Sequence, residues 1–249
     1  MKIHSTAIIS EKAKIGRNVS IGQFTTVYDN VTIDDDVVIE GYCELGVASD
    51  LSDGEALHIG KRAHIRSHSI FYEGSSFGDD LVTGHRVTVR ERTTAGKNLH
   101  IGTVSDIQGH CDIGDYVRLH SNVHIGQKSS IGNYVWIYPY VVLTNDPHPP
   151  STVSQGVRIE DFAVIATMSV ILPNVKIATG CLIAAHSSVA RSTEENMLYA
   201  GIPAKAICAT SKIKLKDGSN NPAYPWTEHF TRGYPSEVTE LWEELKAHK

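Results

Sequence analysis

The sequence lacks most of the features that would place it outside ordinary folded proteins. No apolar stretch approaches the ~18 residues needed to cross a bilayer, so membrane insertion is not expected. Basic residues are not in excess: 23 Lys and Arg stand against 28 Asp and Glu, a formal net charge of −5. Nucleic acid is therefore not an expected partner. With 20 glycines and 9 prolines, collagen and low-complexity tracts are excluded. Cysteine is scarce: Cys43, Cys111, Cys181 and Cys208 form no CxxC pair and fit no zinc ribbon, so free buried thiols and no metal are expected. The opening segment, Met1 to Lys14, lacks the long apolar region and small-residue cleavage site of a secretory signal, which points to the cytoplasm.

What the chain does have is a period of six. Aliphatic residues recur at Ile9, Ile15, Ile21, Val27, Ile33, Ile39 and Leu45. A second register runs from Ile59 to Leu143 with eleven of fifteen positions Ile, Val or Leu, and a third from Ile159 to Val189 with six of six. Glycine often follows the stripe residue, and a small or aliphatic residue often stands four after it. This period fits neither a helix nor a simple hairpin, but it fits a coil of three short strands that closes once every three hexads. Stacked coils put each strand in a parallel ladder about 4.8 Å from its neighbours. Cys43, Cys111 and Cys181 fall at the second inward position, four after a stripe residue.

Segments such as Ile113-Gly114-Asp115-Tyr116-Val117-Arg118 resemble the [LIV]-[GAED]-x-x-[STAV]-x motif of the hexapeptide-repeat acyltransferases. The resemblance covers about residues 3–208. It implies an all-β fold, a left-handed parallel β-helix, together with a homotrimer whose active sites lie between subunits and an acyl-CoA donor.

The register slips by two residues between Leu45 and Ile59, where a polar run predicts a surface loop. It slips further between Leu143 and Ile159, so residues 144–158 are expected to protrude; Pro147, Pro149 and Pro150 preclude regular strand there. The β-helix domain is thus expected over residues 1–208. Residues 209–249 form a linker broken by Pro222, Pro225 and Pro235, followed by a helix with Leu241 and Leu245 on one face, expected to cap the open end of the stack.

Coil arithmetic selects candidate chemistry, because a residue lies one ladder step from its counterpart three hexads later. Asp106 and His124 are so related and each precedes a stripe residue, which predicts an outward carboxylate–imidazole pair. Such a pair fixes the imidazole tautomer and leaves the other nitrogen for a substrate amine. Arg90 and Gln108 stack beside it, Glu73 and Glu91 at the next position, and Arg92, His110 and Lys128 after that; fixed cations suit a diphosphate, and carboxylates suit sugar hydroxyls or an ammonium. His120 is expected as a supporting residue on another side, with Tyr138 one coil above. Small residues beside the stripe, including Ala166, Thr167, Ala184 and Ala185, would let a pantetheine arm approach the backbone.

Further assignments come from the resemblance. His148 is placed like the catalytic histidine of hexapeptide sugar acetyltransferases, whereas Thr144-Asn145-Asp146 looks like the segment of nucleotide-sugar N-acetyltransferases. Ala200-Gly201-Ile202-Pro203-Ala204-Lys205 resembles the family's GxPAK ending, implying Gly201, Pro203 and Lys205 near CoA. Residues 118–127 and 139–147 are similar to N-acyltransferases acting on nucleotide-activated amino sugars. This implies a dTDP- or UDP-linked amino deoxysugar acceptor, acetyl-CoA or a slightly longer acyl-CoA as donor, and a place in surface polysaccharide (lipopolysaccharide) synthesis. The alternatives are an O-acetyltransferase using His148, a zinc enzyme like the γ-class carbonic anhydrases using His85, His120 and His124, and a scaffold without catalysis.

Overall fold

The computed structural model describes residues 2–247; Met1, His248 and Lys249, where the expected domain and helix end, lie outside the described residues. Strands of mostly two residues form three parallel sheets of twelve, ten and nine strands. Up to the C-terminal hairpin, consecutive members of each sheet are three strands apart in the chain, so every coil gives one strand to each face of a three-sided prism. In the regular coils each residue stands opposite its counterpart three hexads on: Asp106 opposite His124 and Ile107 opposite Ile125. The stripe residues and those four after them fill the interior as one continuous cluster that includes Cys43, Cys111 and Cys181. These three thiols are free and buried, and Cys208 is half-buried. Burial pushes the Cys43 and Cys111 thiols up to about 11, so neither is a nucleophile at neutral pH.

The corners turn through a residue three after the stripe held at positive φ. Tyr116, Asn122, Lys128, Tyr134 and Tyr140 have φ of 58, 58, 65, 58 and 62° in successive hexads. Most are not glycine, so the ladder bonds on either side must outweigh the strain of about 1–2 kcal/mol at each.

Two coils are longer. Thr32 stands opposite His58 and Ser130 opposite Arg158, where three hexads would reach only Asp50 and His148. The excess leaves after Leu45 and after Leu143, both stripe residues of the ten-stranded face, so both loops rise from the same edge of the prism. The second loop ends at residue 157, because Arg158 is already in strand.

At the C-terminal end the twelve-stranded sheet closes with Met197–Gly201 paired antiparallel to Ala204–Ala209. The remaining chain does not cap the open end as expected. It runs back along the side of the twelve-stranded face, and its helix α1 (Ser236–Ala247) buries Val238 and Trp242 against Tyr116 and Val164, with Tyr134, Trp136 and Phe162 around them. Leu241, expected inward, is 47% exposed; Leu245's side chain lies outside the described residues. Trp136 Nε1 donates to Tyr234 Oη at 3.0 Å, fixing the strap that precedes the helix.

Candidate active site

The ten-stranded face carries one outward column, Ile70, Thr88, Asp106, His124, Val142, Val170 and Ser188. His124 Nδ1 lies 3.1 Å from Asp106 Oδ2, and both side chains are partly exposed. A carboxylate only accepts, so Nδ1 carries the proton and Nε2 keeps its lone pair toward solvent. Gln108 Nε2 donates to the same Asp106 oxygen. Burial alone would raise the Asp106 carboxyl, but the hydrogen bonds from His124 and Gln108 and the nearby Arg90 charge outweigh it and hold the acid below its ordinary value. It is therefore ionised at neutral pH, as orienting an imidazole requires.

Below the pair, the patch of charges is engaged within the chain. Glu91 is 1% exposed and takes two hydrogen bonds from Arg90 at 2.7 and 3.0 Å and one from Ser49 Oγ. Burial would raise its carboxyl; the bonds from Arg90 and Ser49 bring it down to about 2. Glu73, buried, accepts from Gly54 N at 3.2 Å, and Arg92 pairs with Asp53. These residues, expected to meet sugar or phosphate, instead bind loop 48–55, which is a docked element and not a free surface loop. Arg90 remains partly exposed beside Asp106, its guanidinium 5.0 Å from the Tyr72 ring.

Above the pair, loop 144–157 borders the site. Asn145 Nδ2 donates to Ser154 Oγ at 3.3 Å, and Ser154 Oγ donates to Gln127 Oε1 at 3.4 Å. Asp146 accepts from His148 N and from Ser151 N and Oγ, which hold its carboxyl below its ordinary value and leave its oxygens occupied within the loop. His148 is exposed, and among the described residues no hydrogen bond or ion pair joins it to Asp106 or His124.

His120 stands across the corner on the twelve-stranded face, stacked on Tyr138 with ring centroids 4.5 Å apart. Burial lowers its imidazole below the ordinary value. Among the described residues no hydrogen bond or ion pair joins it to either member of the pair. His85 instead meets Ser67 at 2.9 Å. His85, His120 and His124 thus do not converge in one chain, and among the described residues no cluster of three or more His, Cys, Asp or Glu is arranged to hold a metal.

The residues expected near CoA gather on one side of that corner. Ala166 N and Ala184 N donate to Ile183 O and Tyr199 O, each at 2.9 Å, so Tyr138, Ala166 and Ala184 form one column. Thr167 and Ala185 flank it at the corner, and Gly201, Pro203 and exposed Lys205 lie on the terminal hairpin, with Gly201 N donating to Ser187 Oγ at 3.3 Å.

One charged group went unread in the sequence. Arg118 is 7% exposed, its guanidinium 5.1 Å from the Tyr234 ring, and Arg66 and His100 lie near it on the same face. The arithmetic that finds Asp106 and His124 would have found them, since His100, Arg118 and Trp136 are also successive ladder partners. Outward positions on this face are nevertheless covered, by a strap that comes much later in the chain.

The family profile described as bacterial transferase hexapeptide, six repeats, matches residues 2–46. No curated protein matches the sequence. Among solved structures, a UDP-N-acetylglucosamine acyltransferase from Arabidopsis is similar with a TM-score of 0.70 at 18% identity, over 83% of this chain and 74% of its own. The enzyme of the same description from Campylobacter jejuni gives 0.52 at 21%, over 97% and 81%, and that from Bacteroides fragilis 0.50 at 16%, over 95% and 80%. The fold is the left-handed parallel β-helix of these acyltransferases.

Proposed function

We propose that the protein is an acyltransferase that moves an acetyl or short acyl group from CoA to the amine of a nucleotide-linked amino deoxysugar. The observation that carries this reading is the Asp106–His124 pair, with Nε2 free on an open face between two loops. The fold shared with UDP-sugar acyltransferases supports the choice of acceptor class. In this mechanism His124 Nε2 accepts a proton as the amine nitrogen attacks the thioester carbonyl. The new C–N bond forms, the C–S bond breaks, and the proton passes to the departing CoA sulfur. Asp106 holds the imidazole in its basic tautomer and stabilises it when charged.

Arg90, Gln108 and Asn145 border the pair and are the side chains proposed to contact the sugar. Ala166, Thr167, Ala184, Ala185, Gly201, Pro203 and Lys205 are proposed to lie along CoA, the small residues against its pantetheine arm. That column lies around a corner from His124. The corner itself bears Phe24, Tyr42, Val104, Tyr140 and Met168, each more than a third exposed, which supports a homotrimer in which a neighbouring copy completes the cleft.

The test is thiol release from acetyl-CoA with dTDP- and UDP-linked amino sugars. His124→Ala is expected to lose at least ~100-fold in turnover with the fold retained. A fully active variant would remove His124 from the mechanism.

A further inference from the structure

Arg90 and Arg92, below the dyad, are paired with carboxylates of the chain, whereas three arginines across the corner are not. Each of those two has a carboxylate within ion-pair distance, Glu91 for Arg90 and Asp53 for Arg92. Arg66, Arg118 and Arg232 have none among the described residues. The N–H groups of Arg66 and Arg118 meet neutral acceptors: Arg66 donates to Thr83 O at 2.6 Å, and Arg118 to Asn98 Oδ1 at 2.6 Å and Gly233 O at 3.2 Å; Arg232 lies over the Phe230 ring. A buried guanidinium without a counter-charge is costly, and a ligand anion relieves that cost. His100 beside them is driven down to about 4, by burial first and then by Arg118 and Arg66, with Asp80 opposing, so it stays neutral at neutral pH and adds no charge to the groove.

These residues line a groove of about 440 Å³ under the strap. It opens into a second chamber of about 440 Å³ walled by Trp136, Tyr138, Tyr224, Trp226 and Phe230. His120, Trp136, Phe230 and Arg232 border both. A ligand matching this surface carries two or more negative charges at one end and a flat ring at the other.

We infer that the groove beneath the strap binds a nucleoside diphosphate, its phosphates on Arg66, Arg118 and Arg232 and its base in the aromatic chamber. Two molecules of the proposed reaction contain this group: the nucleotide of the acceptor and the 3′-phospho-ADP of CoA. The inference rests on the proposed function for the ligand's origin, but not for the groove.

The test is binding of UDP, dTDP, CoA and uridine to the purified protein, followed by titration calorimetry and by the tryptophan fluorescence of Trp136 and Trp226. A diphosphate-bearing ligand is expected to bind saturably, more weakly as salt rises, and uridine not to bind. Arg66→Ala and Arg232→Ala, both at partly or fully exposed positions, should each weaken binding about tenfold, the worth of one charge-assisted contact, while melting temperature is unchanged. Binding of UDP or dTDP alone assigns the groove to the acceptor, and binding of CoA alone to the donor. Absence of binding, or affinities unchanged in both variants, overturns the inference. If nucleoside diphosphates bind as expected but no acyl transfer is found, only the proposed reaction fails.

Discussion

Glu91 is ionised down to about pH 2, far below the ordinary 4.5 of its kind, because Arg90 and Ser49 bond to its charged form. A carboxyl whose value falls on folding stabilises the fold fully above its unfolded value, and that contribution fades as pH drops from about 4.5 toward 2. Glu91→Gln should therefore cost roughly 1–3 kcal/mol at neutral pH, with the difference from wild type closing below pH 4.5. Urea unfolding followed across pH measures this, and equal gaps at pH 7 and pH 3 would contradict it. Asp106→Asn should lower kcat less than His124→Ala does, leaving KM for the acceptor and the melting temperature unchanged. A rise in KM alone would make Asp106 a binding residue. The Asp106–His124 pair was legible because one ladder step is three hexads wherever the coils are regular. The engagement of Glu73, Glu91 and Arg92 was not, because their partners Gly54, Ser49 and Asp53 sit in an insertion that no period describes.

Strands of two residues hold only because each is paired above and below, so the elements that interrupt the coils are where the fold is most exposed to change. Gly156 returns the 144–157 loop to the stack so closely that a Cβ there would lie 1.9 Å from Lys128 O. Gly156→Ala is expected to destabilise the protein by about 1–3 kcal/mol and to shift the loop bordering His124, lowering both melting temperature and activity. Unchanged melting would show that the loop closes by another route. The inward stripe was readable from aliphatic periodicity, and both insertions from its slips. The corner conformation was hidden, since Tyr116, Lys128, Tyr134 and Tyr140 occupy positive φ where turn chemistry favours glycine or asparagine. Ladder bonding to the coils above and below imposes it.

Over the whole molecule, the C-terminal segment was misplaced by sequence reasoning because an amphipathic helix says which face it buries but not against what. The aromatic cluster of Trp136, Trp226, Tyr234 and Trp242 draws it along the side of the prism instead of over its end. The corner bearing Tyr140 and Met168, 52% and 47% exposed, is left uncovered. If copies of the chain meet there, Tyr140→Asp with Met168→Asp should convert trimer to monomer in sedimentation and abolish turnover without unfolding the coil; a doubly substituted chain that stays trimeric would move the contact elsewhere.

Acyl transfer to an amine is checked by incubating the purified protein with acetyl-CoA and paired sugar nucleotides that differ only in bearing an amine or a hydroxyl, with products identified by mass. One acetyl group is expected on an amine-bearing member and none on its hydroxyl counterpart. Acetylation of the hydroxyl sugar, or no CoA-dependent product with any acceptor, would contradict it.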